Sequence, residues 1–547
     1  VKRTTRFIQD SHFDVLIIGG GITGAAVAYE AVTRGFSVAL FEKDDFGGAT
    51  SAATSKMIHG GLRYLAKMEL KLVRESLRER RILTNIAPNF VHPAPYLLTG
   101  YKNGKTPGWM LKAAMILYDL LSFDKNWLRD KSKRMPKHRT VSKNNALSLE
   151  PSLISDGLLH SQIYYDCISF SPERLTLAFI KSAVEAGAKV LNYAEVKDFL
   201  FEKKSHKRKV YGCKVFDKVA NNEYNVLGRY VINCSGPWAD VIVNKASKKY
   251  ATKVLRRSEG IHFITKKLVN NYIVTATTLN GRHCFIVPWR NRTLIGTTDK
   301  EFIGKPDEYK VAKSTVNDFL EEVNQVFGEK EKLQYSDVQF VYGGLRPLVE
   351  DQTKDVYESS RKYEIVDHEK DGISGLITVE GGKYTTSRSL AENLVDYLFK
   401  KVGKKPIASI SASKFLKGSD IENFQRFVDV KTEENPEFKG EQIDFLCKMY
   451  GTELDSVLRL AKEDGLSISL NADGEIEAQV VYAIQNEMAI KLSDILFRRT
   501  GIGTLGHPGE ETLAKVLNIA ATLLNWDEKR KETELKEVEE ILKIPEN

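Results

Sequence analysis

No apolar run in the 547-residue chain approaches the ~18 residues of a membrane-spanning helix, so any bilayer contact is expected to lie along the surface. The opening residues, VKRTTRFIQDSHFD, are polar and lack an apolar h-region, which argues against a secretory signal. Cysteine is sparse: Cys167, Cys213, Cys234, Cys284 and Cys447 are scattered, odd in number and without a CxxC pair. That excludes a disulfide framework and a zinc site, fits a reducing compartment, and predicts buried inert thiols. Zinc-finger spacing, an RNP-like run and a long basic block are all missing, so no nucleic-acid partner is expected. The net charge of +9, from 81 Lys+Arg against 72 Asp+Glu, is a modest excess. It suits an anionic substrate or an anionic membrane surface. There is no internal repeat. With 42% hydrophobic and 28% charged residues, the chain reads as globular, with two or three domains.

What is present begins with a βαβ unit. DVLII (14–18) reads as a buried parallel strand, GGGITG as a glycine turn, AAVAYEAVTRG as a helix stopped by Gly35, and SVALFEK as a second strand ending at Glu42. Gly19, Gly21 and Gly24 fill G-x-G-x-x-G: a tight turn, close approach of a pyrophosphate, and close helix–strand packing. The helix N-terminus offers N–H groups to phosphates. Glu42, 18 residues after Gly24, can accept from both ribose hydroxyls, which disfavours a 2′-phosphate and hence NADP. The motif alone does not separate NAD from FAD. Two later segments do: VINCSGPWAD runs from strand through a small-residue turn to a helix, and ITVEGGKYTTSRSLAENLVDYL from strand through Gly381–Gly382 to a helix. Both pointing at one ligand fits FAD lying extended.

Between these, residues 69–86 and 107–123 read as helices, and SPERLTLAFIKSAVEAGAKVL as a helix then a strand. Short alternating runs, among them YGCKVFD, GIHFIT, HCFIVPW and TLIGTTD, suggest an inserted mixed or antiparallel sheet. After residue 400 a linker (401–420) precedes a largely helical remainder.

These motifs resemble the FAD-dependent glycerol-3-phosphate dehydrogenases and their relatives, the glycerol-3-phosphate oxidases. The resemblance rests on IIGGGITGAAVAYEAVTRGFSVALFEKDDFGGATSAATSKMIHGGLRYL, INCSGPWAD, GIHFI, FIVPW, IGTTD, GGLRPL, SRKYEI and EGGKYTTSR, in the family's order and spacing, and extends to MYGTELDSVLRLA and AIQNEMAIKLSDILFRRT. It implies an α/β fold: an FAD-binding Rossmann-type domain, like those of glutathione reductase and D-amino-acid oxidase, mainly over 12–100, 150–250 and 340–400. A mixed-sheet substrate domain, mainly 100–150 and 250–340, is inserted in it, and an all-helical domain covers 421–547.

The implied reaction is oxidation of sn-glycerol 3-phosphate to dihydroxyacetone phosphate by hydride transfer to FAD. Electrons then pass to a membrane quinone, the alternative being oxygen with formation of hydrogen peroxide. The absence of a long insertion found in some oxidases favours the dehydrogenase. A flavoenzyme acting on an amino acid or 2-hydroxy acid, and a non-catalytic FAD- or lipid-binding protein, are the rivals. The cofactor positions implied are Gly19, Gly21, Ile22, Thr23, Gly24, Glu42, Lys43, Thr50, Thr54, Ser55, Lys56, Ile58, Val196, Ser235, Gly236, Trp238, Gly382, Lys383, Tyr384 and Thr385.

The substrate is a phosphate dianion with a secondary alcohol. Arg63, Tyr64, Arg346, Arg361 and Lys383 are the implied binding residues, in keeping with the preference of phosphate for Arg forks and Lys charges. The alcohol proton needs a base, and His262 and His59 both qualify, with Arg63 beside them to stabilise an alkoxide. Asp299 is open between a structural and a site role. The segment WMLKAAMILYDLLSF with its basic tail (125–139) suits an interfacial helix or, equally, a buried helix beside a solvated charge run. Location in the cytoplasm, peripheral to the inner face of the membrane, follows from the first reading, and a homodimer is left open.

Overall fold

The apolar run at 14–18 forms the strand His12–Ile18, whose Val15, Leu16 and Ile17 are fully buried, as a central parallel strand requires. The computed structural model describes residues 2–8, 12–102, 107–202, 208–247, 255–277, 283–328, 331–349 and 362–546. Among them His12–Ile18 pairs in parallel with Val38–Phe41 and Asn222–Asn233; Lys189–Leu191 and Leu376–Gly381 extend the sheet on either side. The helix Ile22–Thr33 packs on this sheet with Pro172–Glu185 and Ser387–Val402. Alanines at 25, 26, 28 and 31 let the helices approach closely around Val15, Ile17, Leu40, Ile180 and Leu394. Gly24 is the tightest point: a Cβ there would overlap the Gly19 carbonyl oxygen.

YGCKVFD does not join the inserted sheet. It lies in Arg208–Asp217, the middle of an antiparallel meander (Ala194–Phe201, Arg208–Asp217, Asn222–Asn233) on the nucleotide sheet. Asn222–Asn233 is long enough to pair antiparallel at its start and parallel to His12–Ile18 at its end. Conversely, Val91–Tyr101 and Leu158–Ser169, read by sequence with the nucleotide half, run side by side in the second sheet.

That second sheet runs Lys300–Phe302, Arg256–Thr265, Arg292–Gly296, His283–Trp289, Ile273–Thr277, Val91–Tyr101, Leu158–Ser169, Met57–Ile58, with Val338–Leu348 also on Arg256–Thr265. Its register sets the site: His262 lies opposite Gly296 on one neighbour and Tyr342 on the other, and Ser258 opposite Arg346. Because Met57–Ile58 pairs with Leu158–Ser169, the SKMIHGGLRYL stretch leaves the nucleotide half and enters this sheet. The C-terminal helices Phe424–Glu434, Gly440–Tyr450, Leu454–Glu463, Glu477–Asn486, Glu510–Leu524 and Glu528–Leu542 follow, interrupted by a π-helical turn, Asp494–Arg499. All five cysteines are buried and unpaired.

Candidate active site

A cavity of about 1300 Å³ opens between the two sheets. That exceeds the roughly 300–1,000 Å³ of an ordinary small-molecule pocket and leaves room for a dinucleotide and a substrate together. The nucleotide half contributes Gly19, Gly21, Ile22, Thr23, Glu42, Lys43, Val196, Ser235, Gly236 and Trp238 to its wall. Thr50, Thr54, Ser55, Gly382, Lys383, Tyr384 and Thr385 line it as well, and so do His59, Arg63, His262, Asp299 and Arg346.

Four of the described expected positions are off the wall. Gly24, Ile58 and Tyr64 stand behind the wall as packing. Lys56 is turned away, its ammonium buried in an ion pair with Glu173, so it is not presented to a phosphate. Arg361 lies outside the described residues.

The residues fit a flavin dinucleotide. The glycine turn leads into the N-terminus of Ile22–Thr33, whose first N–H is held by Ser51 Oγ at 2.9 Å. Glu42 accepts from the Gly20 N–H at 2.6 Å and the Asp44 N–H at 2.9 Å, which pins the turn, and each oxygen keeps a lone pair for a ribose hydroxyl. Burial pushes its carboxyl up, while the two backbone bonds oppose that. Beside it, Lys43 sits 4.1 Å over the Trp238 ring, and both reach Asp307.

The cations converge. Asp299 holds Arg346 (Nη1 at 3.5 Å) and Arg63 (Nη1 at 3.8 Å) on its two oxygens, and Ser258 Oγ also donates to it. Arg346 is fixed further by Nη2 donating to Thr297 Oγ1 at 2.7 Å and Nη1 to the Thr298 carbonyl at 3.1 Å. Arg63 Nη2 donates to Tyr64 OH at 3.0 Å, and Lys383 Nζ lies 4.0 Å over the same Tyr64 ring while donating to Ser76 Oγ at 3.2 Å. Burial lowers Lys383 to about 8, with Arg63 adding to the effect and Tyr64 opposing it. Three cations and one carboxylate thus meet at one wall, a ready site for a dianion.

The two histidines differ. His262 is buried, stacked on Tyr342 (4.9 Å between centroids, 12° between planes), with Nε2 2.7 Å from Ser55 Oγ. Burial, with Arg346 and Lys56 nearby, holds it well below the usual imidazole range, so the ring is neutral. His59 Nδ1 accepts the Gly61 N–H at 3.1 Å, which places the ring proton on Nε2. Burial lowers His59 to about 4, against an opposing pull from Asp166.

Asp166 was not visible as a site residue in the sequence. From inside Leu158–Ser169 it pairs with buried Arg80, accepts from Tyr118 OH at 2.6 Å and from the Gly60 N–H at 3.3 Å, and so fixes the His59–Gly61 turn. Its only trace is a lone carboxylate among apolar residues, QIYYDCIS.

A glycine turn, a carboxylate pinned against it and a Gly-Gly turn before a helix, all on one cavity of this size, define an FAD-dependent oxidoreductase. Residues 14–388 match the family model described as FAD dependent oxidoreductase, and 381–531 that of the C-terminal domain of alpha-glycerophosphate oxidase. Similar proteins include a glycerol-3-phosphate dehydrogenase of Synechocystis sp. (31% identity, 98% of this chain and 97% of the relative) and the mitochondrial glycerol-3-phosphate dehydrogenase of Bos taurus (32%, 97% and 73%). Among solved structures, the glycerol-3-phosphate dehydrogenase of Bacillus halodurans complexed with FAD superposes with a TM-score of 0.77 at 26% identity, over 98% of this chain and 95% of that one. The chain belongs to the FAD-dependent glycerol-3-phosphate dehydrogenase family.

Proposed function

We propose that the protein oxidises sn-glycerol 3-phosphate to dihydroxyacetone phosphate and passes the electrons to a membrane quinone. The observation that carries the substrate is the convergence of Arg63, Arg346 and Lys383 on the cavity wall beside two neutral histidines. Bound FAD supplies the acceptor for the hydride leaving the alcohol carbon. The cations take the phosphate and orient the secondary alcohol. His262 Nε2, hydrogen-bonded to Ser55 Oγ on the same cavity wall, receives the hydroxyl proton; His59, an Nε2–H donor, stabilises the developing alkoxide. Two electrons and two protons leave the substrate, one proton with the hydride and one to the base.

The acceptor is supported by the helix Gly108–Leu121. Met110, Leu111, Ala114 and Leu117 line the cavity, whereas Trp109 (72% exposed), Leu120 (66%), Phe123 (64%) and Trp127 (63%) form an uncovered apolar face on and just beyond it. Among the described residues no helix is long and apolar enough to cross a membrane. Lys131, Arg134, Lys137 and Arg139 are exposed nearby, but Lys133 of the same basic run is buried, with Nζ donating to the Val91 carbonyl at 2.8 Å.

The test is anaerobic reduction of the flavin by sn-glycerol 3-phosphate, then reoxidation in anionic vesicles with a quinone or in air. Quinone-dependent turnover with background peroxide is expected, together with weakened vesicle co-sedimentation of Trp109→Glu. Peroxide formed in step with product would establish oxygen as acceptor, and unbleached flavin would remove the substrate.

Lys383 gives a pH signature. It is charged below about 8 and neutral above, so affinity for a phosphate dianion is present at neutral pH and lost as pH rises through that value. An alkaline limb in kcat/KM near pH 8 is expected, and Lys383→Arg, which stays charged, should abolish it. A limb unchanged in that variant would take Lys383 out of phosphate binding.

A further inference from the structure

The loop 43–51 covers the glycine turn without belonging to any strand or helix. The Gly47 N–H donates to the Gly20 carbonyl at 3.0 Å, Ser51 Oγ holds the Ile22 N–H, and Asp44, Asp45 and Gly48 border the cavity. Lys43 to Asp307, Lys218 to Asp44 and Thr50 Oγ1 to the Leu345 carbonyl tie the loop's edges, and the anchor at its buried centre comes from the far end of the chain. The Asp45 carboxylate is fully buried and accepts two parallel bonds from Arg499 (2.7 and 2.8 Å), one from Arg498 Nε (2.6 Å) and one from Asn192 Nδ2 (3.1 Å). Burial alone would raise this carboxyl; Arg499 and Arg498 more than reverse it and hold it well below the usual range.

Both arginines end the π-helical turn Asp494–Arg499 and are themselves braced. Arg498 Nη2 donates to Asp494 Oδ1 at 2.5 Å, Asp494 also accepts from Tyr193 OH at 2.6 Å, and Arg499 Nε donates to the Glu487 carbonyl at 3.1 Å. A bidentate, braced guanidinium on a buried carboxylate fixes geometry as well as charge. Another ion pair crosses the same interface, Lys181 to Glu453, without touching the loop or either arginine.

We propose that the C-terminal helical domain acts on the cofactor: Arg498 and Arg499, through Asp45, are positioning residues that keep loop 43–51 closed over the glycine turn and so set how long FAD stays bound. The test uses full-length holoenzyme and follows FAD release after dilution by the rise in free-flavin fluorescence, below the unfolding transition of every variant. Asp45→Asn and Arg498→Met should speed release about tenfold or more, since loss of a bound-state contact appears mainly in the dissociation rate. Arg499→Lys, which keeps the charge but not the paired bonds, should fall between them and wild type. Glu453→Gln, which weakens the same interface through Lys181 and away from both arginines, should lower Tm yet leave release within about twofold of wild type. Arg498 is partly exposed, so its variant keeps the test open should Asp45→Asn not fold. Unchanged release in the Asp45 and Arg498 variants, or release that tracks Tm in all variants including Glu453→Gln, would reduce the clamp to an interface contact.

Discussion

Replacing His262 with asparagine is expected to lower kcat about 10²–10⁴-fold with FAD still bound, the usual span for loss of a positioned general base. The side chain is over-determined. Tyr342 stacks on one face, and Gly296 across the strand pair leaves room for the ring edge, since a Cβ there would overlap His262 Cδ2. Its neutrality through the neutral pH range follows from burial and from Arg346 and Lys56 nearby. Asparagine is polar and smaller, so it removes the proton acceptor without burying a new charge. His59→Asn is the matched control: an amide oxygen can still accept the Gly61 N–H, and a ring already protonated at Nε2 is no base, so a loss nearer tenfold is expected. The measurement is anaerobic stopped-flow reduction of the flavin by substrate. A larger drop in His59→Asn than in His262→Asn would exchange the two roles.

The nucleotide half was legible because a ligand constrains its backbone: Gly24 must be glycine for the helix to touch the strand, and that need prints directly in the sequence. Period-two alternation in YGCKVFD announced a strand but carries nothing about which sheet receives it. Charges were the hardest to place, since a cation's role depends on a partner far along the chain. Lys56 reads as cofactor-facing in its motif but pairs with Glu173, and Lys133 sits within a basic run but buries its ammonium against carbonyls. The Arg499–Asp45 pair spans almost the entire sequence and has no local signature at either end. Arg63, Arg346 and Lys383 can be named from motifs, but the role of Asp299, which draws the two arginines together, is not readable from IGTTD, because that motif does not show what its carboxylate faces.

Arg346→Ala is expected to reduce kcat/KM for sn-glycerol 3-phosphate by about 2–4 kcal/mol, roughly 30- to 900-fold, chiefly through KM, from the worth of charge-assisted bonds to a dianion. Two effects add. The phosphate loses one cation, and buried Asp299 loses the nearer of its two arginines, so Arg63 is drawn more fully into pairing with Asp299 and away from the substrate. Arg346→Lys should recover only part of the loss, because an ammonium cannot reach Thr297 Oγ1 and the Thr298 carbonyl in one planar fork. Asp299→Asn in the Arg346→Ala background should restore some affinity by releasing Arg63, a positive coupling that a double-mutant cycle reads directly. The reverse sign, with Asp299→Asn deepening the defect, would mean that the carboxylate serves the substrate by holding Arg63 in place, and KM unchanged in Arg346→Ala would remove that arginine from the phosphate altogether.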